Sequence, residues 1–187
     1  MINTKQYTTP NEGIILVNGP TKSGKSQWAE QLLIKFTNVT YIATHSTIYD
    51  DQNWIDRIER HKKRRPKKWK LIENYDNLAD LLISIPNTES ILLDSLGGFI
   101  NQNIDLKDSD WSKLSSQFIR ALIEFKGLII IVIEEVGWGI SPATAIGNLF
   151  RDRLGELSLE LNELSKDCWL VIQGYSINIK DLGIKVN

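Results

Sequence analysis

The sequence has little cysteine and no long apolar run, and each shortage limits what the protein can be. Its single cysteine, Cys168, excludes an internal disulfide and fits a reducing compartment. The longest strictly aliphatic run covers residues 128–133, far short of the roughly 20 residues that a membrane-spanning helix needs. The N-terminal residues are polar and lack the hydrophobic core of a signal peptide. We therefore expect a cytoplasmic protein with no membrane span.

Length and composition are those of a globular domain. Of the 187 residues, 42% are apolar and 24% are charged, which excludes a disordered or collagen-like chain. No stretch is rich enough in proline, glycine or serine to act as a linker. We expect a flexible tail over residues 1–12 and a single domain over residues 13–187.

The net charge of −1 conceals a strongly basic segment. Residues 57–70 hold nine of the 22 lysines and arginines and one acid, Glu59, so their local charge is +8. The rest of the chain has 13 basic and 22 acidic residues. A concentrated positive segment on an acidic body predicts an anionic ligand.

Short apolar segments alternate with helical patterns along the chain. We predict strands at 13–18, 39–43, 69–73, 90–94, 128–133 and 168–173, and helices at about 25–36, 52–64, 77–84, 111–125 and 143–166. This alternation favours an α/β fold with a mostly parallel sheet, and unbroken aliphatic runs are typical of central strands covered on both faces. Two apolar segments around Gly174 predict an antiparallel C-terminal edge. Long loops are expected at 101–110 and 134–142.

A phosphate-binding loop is the clearest motif. Residues 19–26 read GPTKSGKS and fit the pattern G-x-x-x-x-G-K-[ST], between a buried-strand pattern and a helical one. Such a loop directs backbone N–H groups and a helix N-terminus at phosphate oxygens. Lys25 is expected to reach the β- and γ-phosphates and Ser26 to bind Mg²⁺. The predicted phosphate-binding residues are Gly19, Pro20, Thr21, Lys22, Ser23, Gly24, Lys25 and Ser26.

Acidic residues follow two of the predicted strands. Asp94 closes SILLD and is the candidate second Mg²⁺ ligand, although an aspartate after a strand is also a common cap or turn residue. Glu134 and Glu135 close the next strong strand, at the sheet edge where ligands of open α/β sheets bind. One of them could orient a water or act as a base, or both could be ordinary loop residues.

The basic segment contains His61, one of two histidines. Surrounding guanidinium groups should lower its proton affinity, and neutral imidazole is the form that can attack phosphorus. Two other interpretations stay open: a solvated basic helix with an incidental histidine, and a surface that neutralises nucleic-acid phosphates.

Several stretches resemble the bifunctional adenosylcobinamide kinase/adenosylcobinamide-phosphate guanylyltransferases of cobalamin biosynthesis, the CobU or CobP type. They are NGPTKSGKS, VTYIAT, RIERHKKRRPKKW, ILLDSL, EEVGWGISP and LFRDRLG, and the similarity extends from about residue 14 to 180. Several positions depart from the family's usual residues. Lys22 replaces an arginine, Ser95 a cysteine and Glu134 an asparagine, and residues 155–159 differ from the family's G-R-x-N-Q run. Gly97 and Gly98 stand where larger residues are common.

The resemblance implies a RecA-like P-loop fold, a homotrimer and two reactions. ATP or GTP phosphorylates adenosylcobinamide, and GMP then passes from GTP to that phosphate through a guanylylated histidine, here His61, with release of pyrophosphate. The nucleotide site it implies also includes Ala43, Thr44, His45, Lys62, Lys63, Arg64, Arg65, Glu73 and Asp94. Two alternatives remain: a P-loop kinase of another small hydroxylated metabolite without the guanylyl transfer, and a RecA-like nucleic-acid-binding ATPase.

Overall fold

The structure is a computed structural model that describes residues 7–44 and 64–186. The strands within these residues are β1 (Gly13–Gly19), β2 (Val39–Ala43), β3 (Lys70–Ile72), β4 (Ser90–Asp94), β5 (Leu128–Glu134), β6 (Asp167–Ile172) and β7 (Tyr175–Asn178). The helices are α1 (Lys25–Leu32), α2 (Leu78–Ser84), α3 (Leu96–Gln102), α4 (Asp108–Glu124), α5 (Ala145–Leu164) and α6 (Ile179–Leu182).

The strands form one sheet in the order β3-β2-β4-β5-β1-β6-β7. Neighbours from β3 to β6 pair in parallel, and β7 pairs with β6 antiparallel. The expected P-loop α/β fold, with a mostly parallel sheet and an antiparallel C-terminal edge, is therefore confirmed. Because β1, β4 and β5 run in the same direction, their carboxyl ends meet at one edge of the sheet.

The sheet separates two hydrophobic cores, which explains the unbroken aliphatic runs. In β1, Ile14 and Leu16 pack into one core, and Ile15 and Val17 pack into the other. Helix α1 covers the second core, and α2, α3, α4 and α5 cover the first. Since successive strand residues point to opposite faces, a strand covered on both sides needs an apolar residue at every position.

The structure corrects several predicted boundaries. Helix α1 ends at Leu32 rather than near residue 36, because the chain turns there and packs Leu33 and Phe36 against the core. The third predicted strand shortens to Lys70–Ile72. The loop expected at 101–110 is shorter than predicted and covers only residues 103–107, because α3, which was not predicted, reaches Gln102 and α4 begins at Asp108. The predicted helix at 52–64 lies almost wholly outside the described residues.

The described part of the N-terminal segment contacts the domain. The Tyr7 hydroxyl donates a 2.7 Å hydrogen bond to Oδ2 of Asp167, and its ring packs edge-on against Trp169. Across residues 7–44 and 64–186, we find no helix with the length and apolar character needed to cross a membrane.

Candidate active site

The predicted phosphate loop connects β1 to α1. Two of its residues have positive φ, Lys22 at 61° and Gly24 at 98°, and the Ser23 N–H donates to the Pro20 carbonyl at 3.3 Å. Glycine adopts such a conformation without the strain that a Cβ adds. Helix α1 begins at Lys25, so the N–H groups of its first turn lie at the loop, where a helix N-terminus can bind an anion.

The β6–β7 turn supports this loop from the side. The Gly174 N–H donates a 3.0 Å hydrogen bond to the Ser23 carbonyl. A Cβ on Gly19 would lie 2.4 Å from the Val171 carbonyl oxygen and 2.6 Å from Oγ of Ser23. Gly19 is therefore required by the close approach of the β6 backbone, and the loop is held by elements on both sides.

Lys25 and Ser26 are both buried at the start of α1, with 4% and 8% of their surfaces exposed. The Lys25 ammonium donates to the Pro20 carbonyl at 3.3 Å, so its side chain folds back over the loop. In a phosphate-binding loop, a lysine in this position can reach the phosphate oxygens.

Asp94 ends β4 at the same edge of the sheet, with β5 between it and the loop. Its Oδ2 accepts a 2.7 Å hydrogen bond from the Tyr41 hydroxyl on the neighbouring strand β2. Burial and the negative charge of Asp94 raise the pKa of Tyr41 well above its usual value, so the phenol stays protonated as the donor. Tyr41 thereby fixes the orientation of the Asp94 carboxylate.

Glu134 lies across from Gly19 in the β1–β5 register. Its Oε1 accepts a hydrogen bond from the Ser95 hydroxyl, and its Oε2 accepts one from the Gly97 N–H at 3.0 Å. A Cβ on Gly97 would lie 2.5 Å from that Oε2. Glu134 therefore joins β5 to the start of α3.

Thr44, directly after β2, is hydrogen-bonded to Ser95, directly after β4, at the same edge of the sheet. Its side chain is fully buried; the hydroxyl donates to the Ser95 carbonyl at 2.6 Å and accepts from the Ser95 N–H at 2.7 Å. Its carbonyl accepts a 2.6 Å hydrogen bond from Nε2 of Gln102. Ala43 ends β2 beside Asp94, so the predicted pair 43–44 does lie at the loop edge.

Glu73 follows β3 and lines a cavity of about 450 Å³. The cavity wall is polar and carries several acceptors: Glu73, Asn74, Tyr75, Asp76, Gln102 and Asn103 are among the residues that line it. The Tyr75 hydroxyl donates to Oε1 of Gln102 at 3.0 Å, and burial raises the pKa of Tyr75 to about 12.

Two arginines of the basic segment lie beside these elements. Arg64 makes a two-pronged ion pair with Glu30 of α1, through Nε to Oε2 and through Nη2 to Oε1, the latter at 2.7 Å. The Arg65 guanidinium lies over the Tyr41 ring, 4.8 Å from its centre. The predicted residues His45, His61, Lys62 and Lys63 lie outside the described residues.

Glu30 and Tyr41 were not among the predicted site residues. Helical spacing carries a signal for Glu30, because it lies four residues after Ser26 and thus on the same face of α1. Nothing local in the sequence indicates that its partner is Arg64, 34 positions away.

Comparison with known proteins agrees with the resemblance. The cobinamide kinase/cobinamide phosphate guanyltransferase family (CobU) matches residues 15–179. The chain is 32% identical to the bifunctional adenosylcobalamin biosynthesis protein CobU of Escherichia coli over 182 residues, which cover 89% of this chain and 99% of that protein. It is 30% identical to CobP of Pseudomonas aeruginosa, over 88% and 96% of the two chains.

Similarity to solved structures is weaker. The flagellar accessory protein FlaH of Methanocaldococcus jannaschii has a TM-score of 0.47 at 16% identity, covering 90% of this chain and 76% of its own. The RadB recombinase has a TM-score of 0.46 at 15% identity, covering 84% of this chain and 73% of its own.

The match over residues 15–179 and the near full-length relatives show that this chain belongs to the cobinamide kinase/cobinamide phosphate guanyltransferase family.

Proposed function

We propose that this protein phosphorylates adenosylcobinamide with ATP or GTP, then transfers GMP from GTP to adenosylcobinamide phosphate, giving adenosylcobinamide-GDP and pyrophosphate. One observation supports both steps: the residues that they need lie at the same edge of the sheet. The phosphate loop, Asp94 and the arginines at the end of the basic segment all lie there.

In the first step the substrate hydroxyl oxygen attacks the γ-phosphorus, the bond to the bridging oxygen breaks, and ADP or GDP leaves while the hydroxyl proton is released. Lys25 and the α1 N-terminus offset the charge on the phosphate oxygens. Ser26 and Asp94 supply the hard oxygen donors that Mg²⁺ prefers, and Mg²⁺ commonly takes its other ligands from phosphates and water.

In the second step a neutral nitrogen of His61 attacks the α-phosphorus of GTP, and pyrophosphate leaves. A phosphate oxygen of adenosylcobinamide phosphate then attacks the same phosphorus and releases the histidine. Splitting the transfer in this way needs a nitrogen nucleophile and nearby cations, for which Lys62, Lys63 and Arg65 are the candidates.

The acceptor-rich cavity beside Glu73 suits a guanine base. A carboxylate can accept hydrogen bonds from the ring N–H and the amino group of guanine, and adenine offers no matching ring donor. We propose that this cavity selects GTP in the second step.

The test uses GTP labelled with radioactive phosphorus at the α position. We expect the pure protein to take up an acid-labile, base-stable label, His61→Ala to abolish it, and the matched variant His45→Ala to keep it. If the wild type phosphorylates cobinamide but takes up no label, the proposed kinase activity stands and the proposed guanylyl transfer is overturned.

We propose that the basic segment serves a triphosphate rather than a nucleic acid. The contacts of Arg64 with Glu30 and of Arg65 with Tyr41 support this, because they hold the end of the segment beside α1 and β2. We expect no binding of DNA or RNA in a filter assay at low salt. Tight binding that weakens steeply with salt would support the nucleic-acid ATPase instead.

We also propose that the chain forms a homo-oligomer, a trimer by resemblance. Large apolar side chains are exposed, among them Trp138 at 60%, Ile140 at 97% and Leu182 at 74%. Contiguous apolar surface is typical of protein interfaces. Sedimentation equilibrium should give three times the monomer mass, and a monomer at micromolar concentration would contradict the proposal.

A further inference from the structure

The contact between Glu30 and Arg64 assigns different roles to two adjacent arginines. Both belong to the basic segment, and the resemblance treats them alike as nucleotide ligands. In the structure the guanidinium of Arg64 already carries two hydrogen bonds to one carboxylate. This pair, through Nε and Nη2, uses one two-donor edge of the guanidinium and holds the side chain against α1, which limits its reach toward a phosphate.

Glu30 is unusual because it is an acid within the helix that follows the phosphate loop. Its side chain is 7% exposed, whereas that of Arg64 is 36% exposed. Burial raises the pKa of Glu30, and the Arg64 guanidinium opposes that shift. A buried carboxylate close to a phosphate site repels the ligand, so its presence there calls for another purpose.

Arg65 is held in a different way. Its guanidinium carbon lies over the Tyr41 ring, 4.8 Å from the ring centre, and Tyr41 is the residue whose hydroxyl orients Asp94. A cation–π contact uses no N–H group as a hydrogen-bond donor, so the N–H groups of Arg65 can serve a ligand. Those N–H groups can bind a phosphate at the edge where Asp94 lies.

We propose that Glu30 is a positioning residue: it anchors Arg64 to α1, and this anchor places Arg65 on Tyr41, where Arg65 binds the triphosphate. Arg64 is then a tether and Arg65 is the phosphate ligand. This inference rests on the proposed function, because the ligand is the nucleoside triphosphate of that reaction.

The two roles for Arg64 predict opposite signs for one substitution. Glu30→Gln keeps the shape of the side chain and removes its charge. If Arg64 were a phosphate ligand restrained by Glu30, the variant would release it, remove a nearby negative charge and tighten GTP binding. If Glu30 positions Arg65, the variant weakens binding although a repulsive charge is gone.

The experiment is equilibrium binding of GTP to the full chain by titration calorimetry. We expect Glu30→Gln and Arg64→Met each to raise Kd about tenfold, and Arg65→Gln to raise it at least as much. The double variant Glu30→Gln/Arg64→Met should match either single variant. Non-additivity of this kind indicates that Glu30 acts through Arg64. Glu124→Gln, an exposed acid at the end of α4, is the matched control and should leave Kd unchanged.

Each outcome either supports or overturns the positioning role of Glu30. An unchanged or lower Kd for Glu30→Gln, or a double variant whose loss equals the product of the single losses, overturns the positioning role while the proposed function stands. A wild type that binds no GTP overturns the proposed function and this inference with it. Far-UV circular dichroism confirms folding, which we expect because glutamine removes a buried charge and Arg64 can be hydrated.

Discussion

The Ser95 hydroxyl donates a hydrogen bond to Oε1 of Glu134, which joins the end of β4 to the end of β5. The Gly97 N–H binds the other carboxylate oxygen at 3.0 Å. Ser95, Gly97 and Glu134, three positions at which this chain departs from the family's motifs, therefore contact one another. A glutamate in place of asparagine needs an extra donor and more room, and the serine and the glycine supply them.

This contact predicts that Gly97→Ala depends on residue 134. The new Cβ would lie 2.5 Å from Oε2 of Glu134 and displace a carboxylate that holds two hydrogen bonds. We expect the free energy of unfolding to fall by about 1 to 3 kcal/mol. Combined with Glu134→Asn, whose shorter side chain leaves space, the same substitution should cost much less. Urea unfolding of the four proteins measures the difference, and an equal cost in both backgrounds would contradict the coupling.

Gly98 and Gly155 both lie within helices and should respond in opposite directions to alanine. A Cβ on Gly98 would lie 2.1 Å from Oγ1 of Thr44 and 2.9 Å from its carbonyl carbon, in a buried place that cannot expand. We expect Gly98→Ala to cost about 2 kcal/mol or more. Gly155, on the exposed side of α5, has nothing within 4 Å of its Cβ position, so Gly155→Ala should stabilise by about 0.5 to 1 kcal/mol. Thermal unfolding of both variants checks the pair, and a similar sign for both would refute the steric explanation.

Arg153 should not tolerate lysine. Its side chain is 3% exposed, donates to the carbonyls of Ile104 at 3.0 Å and Leu106 at 2.6 Å, and lies over the Trp111 ring. A lysine cannot reproduce a planar guanidinium that holds several acceptors and stacks on an indole. We expect Arg153→Lys to lower the free energy of unfolding by about 2 kcal/mol or more.

Arg151→Lys is the matched control for that experiment. Arg151 pairs with its exposed neighbour Asp152, and surface pairs contribute roughly 0 to 1 kcal/mol. Chemical denaturation of the two variants should therefore separate them clearly. Equal losses would show that burial of Arg153 does not determine its importance.

Cys168 should be unreactive and should make stability fall at alkaline pH. Burial raises the pKa of its thiol to about 11, although Asn18 donates a 3.1 Å hydrogen bond to the sulfur. Native protein at pH 8 should react far more slowly with a thiol reagent than unfolded protein. Because the unfolded thiol ionises first, stability is lost as pH rises from about 9 to 11, by up to roughly 3 kcal/mol. Cys168→Ala should lack this part of the loss, and parallel pH profiles of the two proteins would disprove it.

The parts of the fold that local sequence determines, the loop between β1 and α1 and the central strands, were predicted correctly. The phosphate loop is a contiguous motif, and the central strands are unbroken apolar runs, so both are recognisable without knowledge of distant contacts. Helix α3 was not predicted because two consecutive glycines disfavour a helix locally. Its stability comes instead from distant partners: Gly97 allows contact with Glu134, and Gly98 allows contact with Thr44.

The same reason explains why the supporting residues of the site were missed. The Glu30–Arg64 pair and the Tyr41–Asp94 hydrogen bond link residues 34 and 53 positions apart. A motif shows which residue types a phosphate needs. The residues that hold them in place depend on how helix and strands pack, which a single sequence does not specify.

The hydrogen bond from Gly174 to Ser23 gives the outer edge of the sheet an importance that edges rarely have. Hairpin turns at a sheet border are usually the places where a chain accepts insertions, new termini or a fused domain. In this protein that turn holds the loop that we propose binds the nucleotide phosphates. Circular permutation or tag insertion at residues 173–174 should therefore abolish triphosphate binding, and an engineer who wants a permissive site has to look elsewhere on the surface.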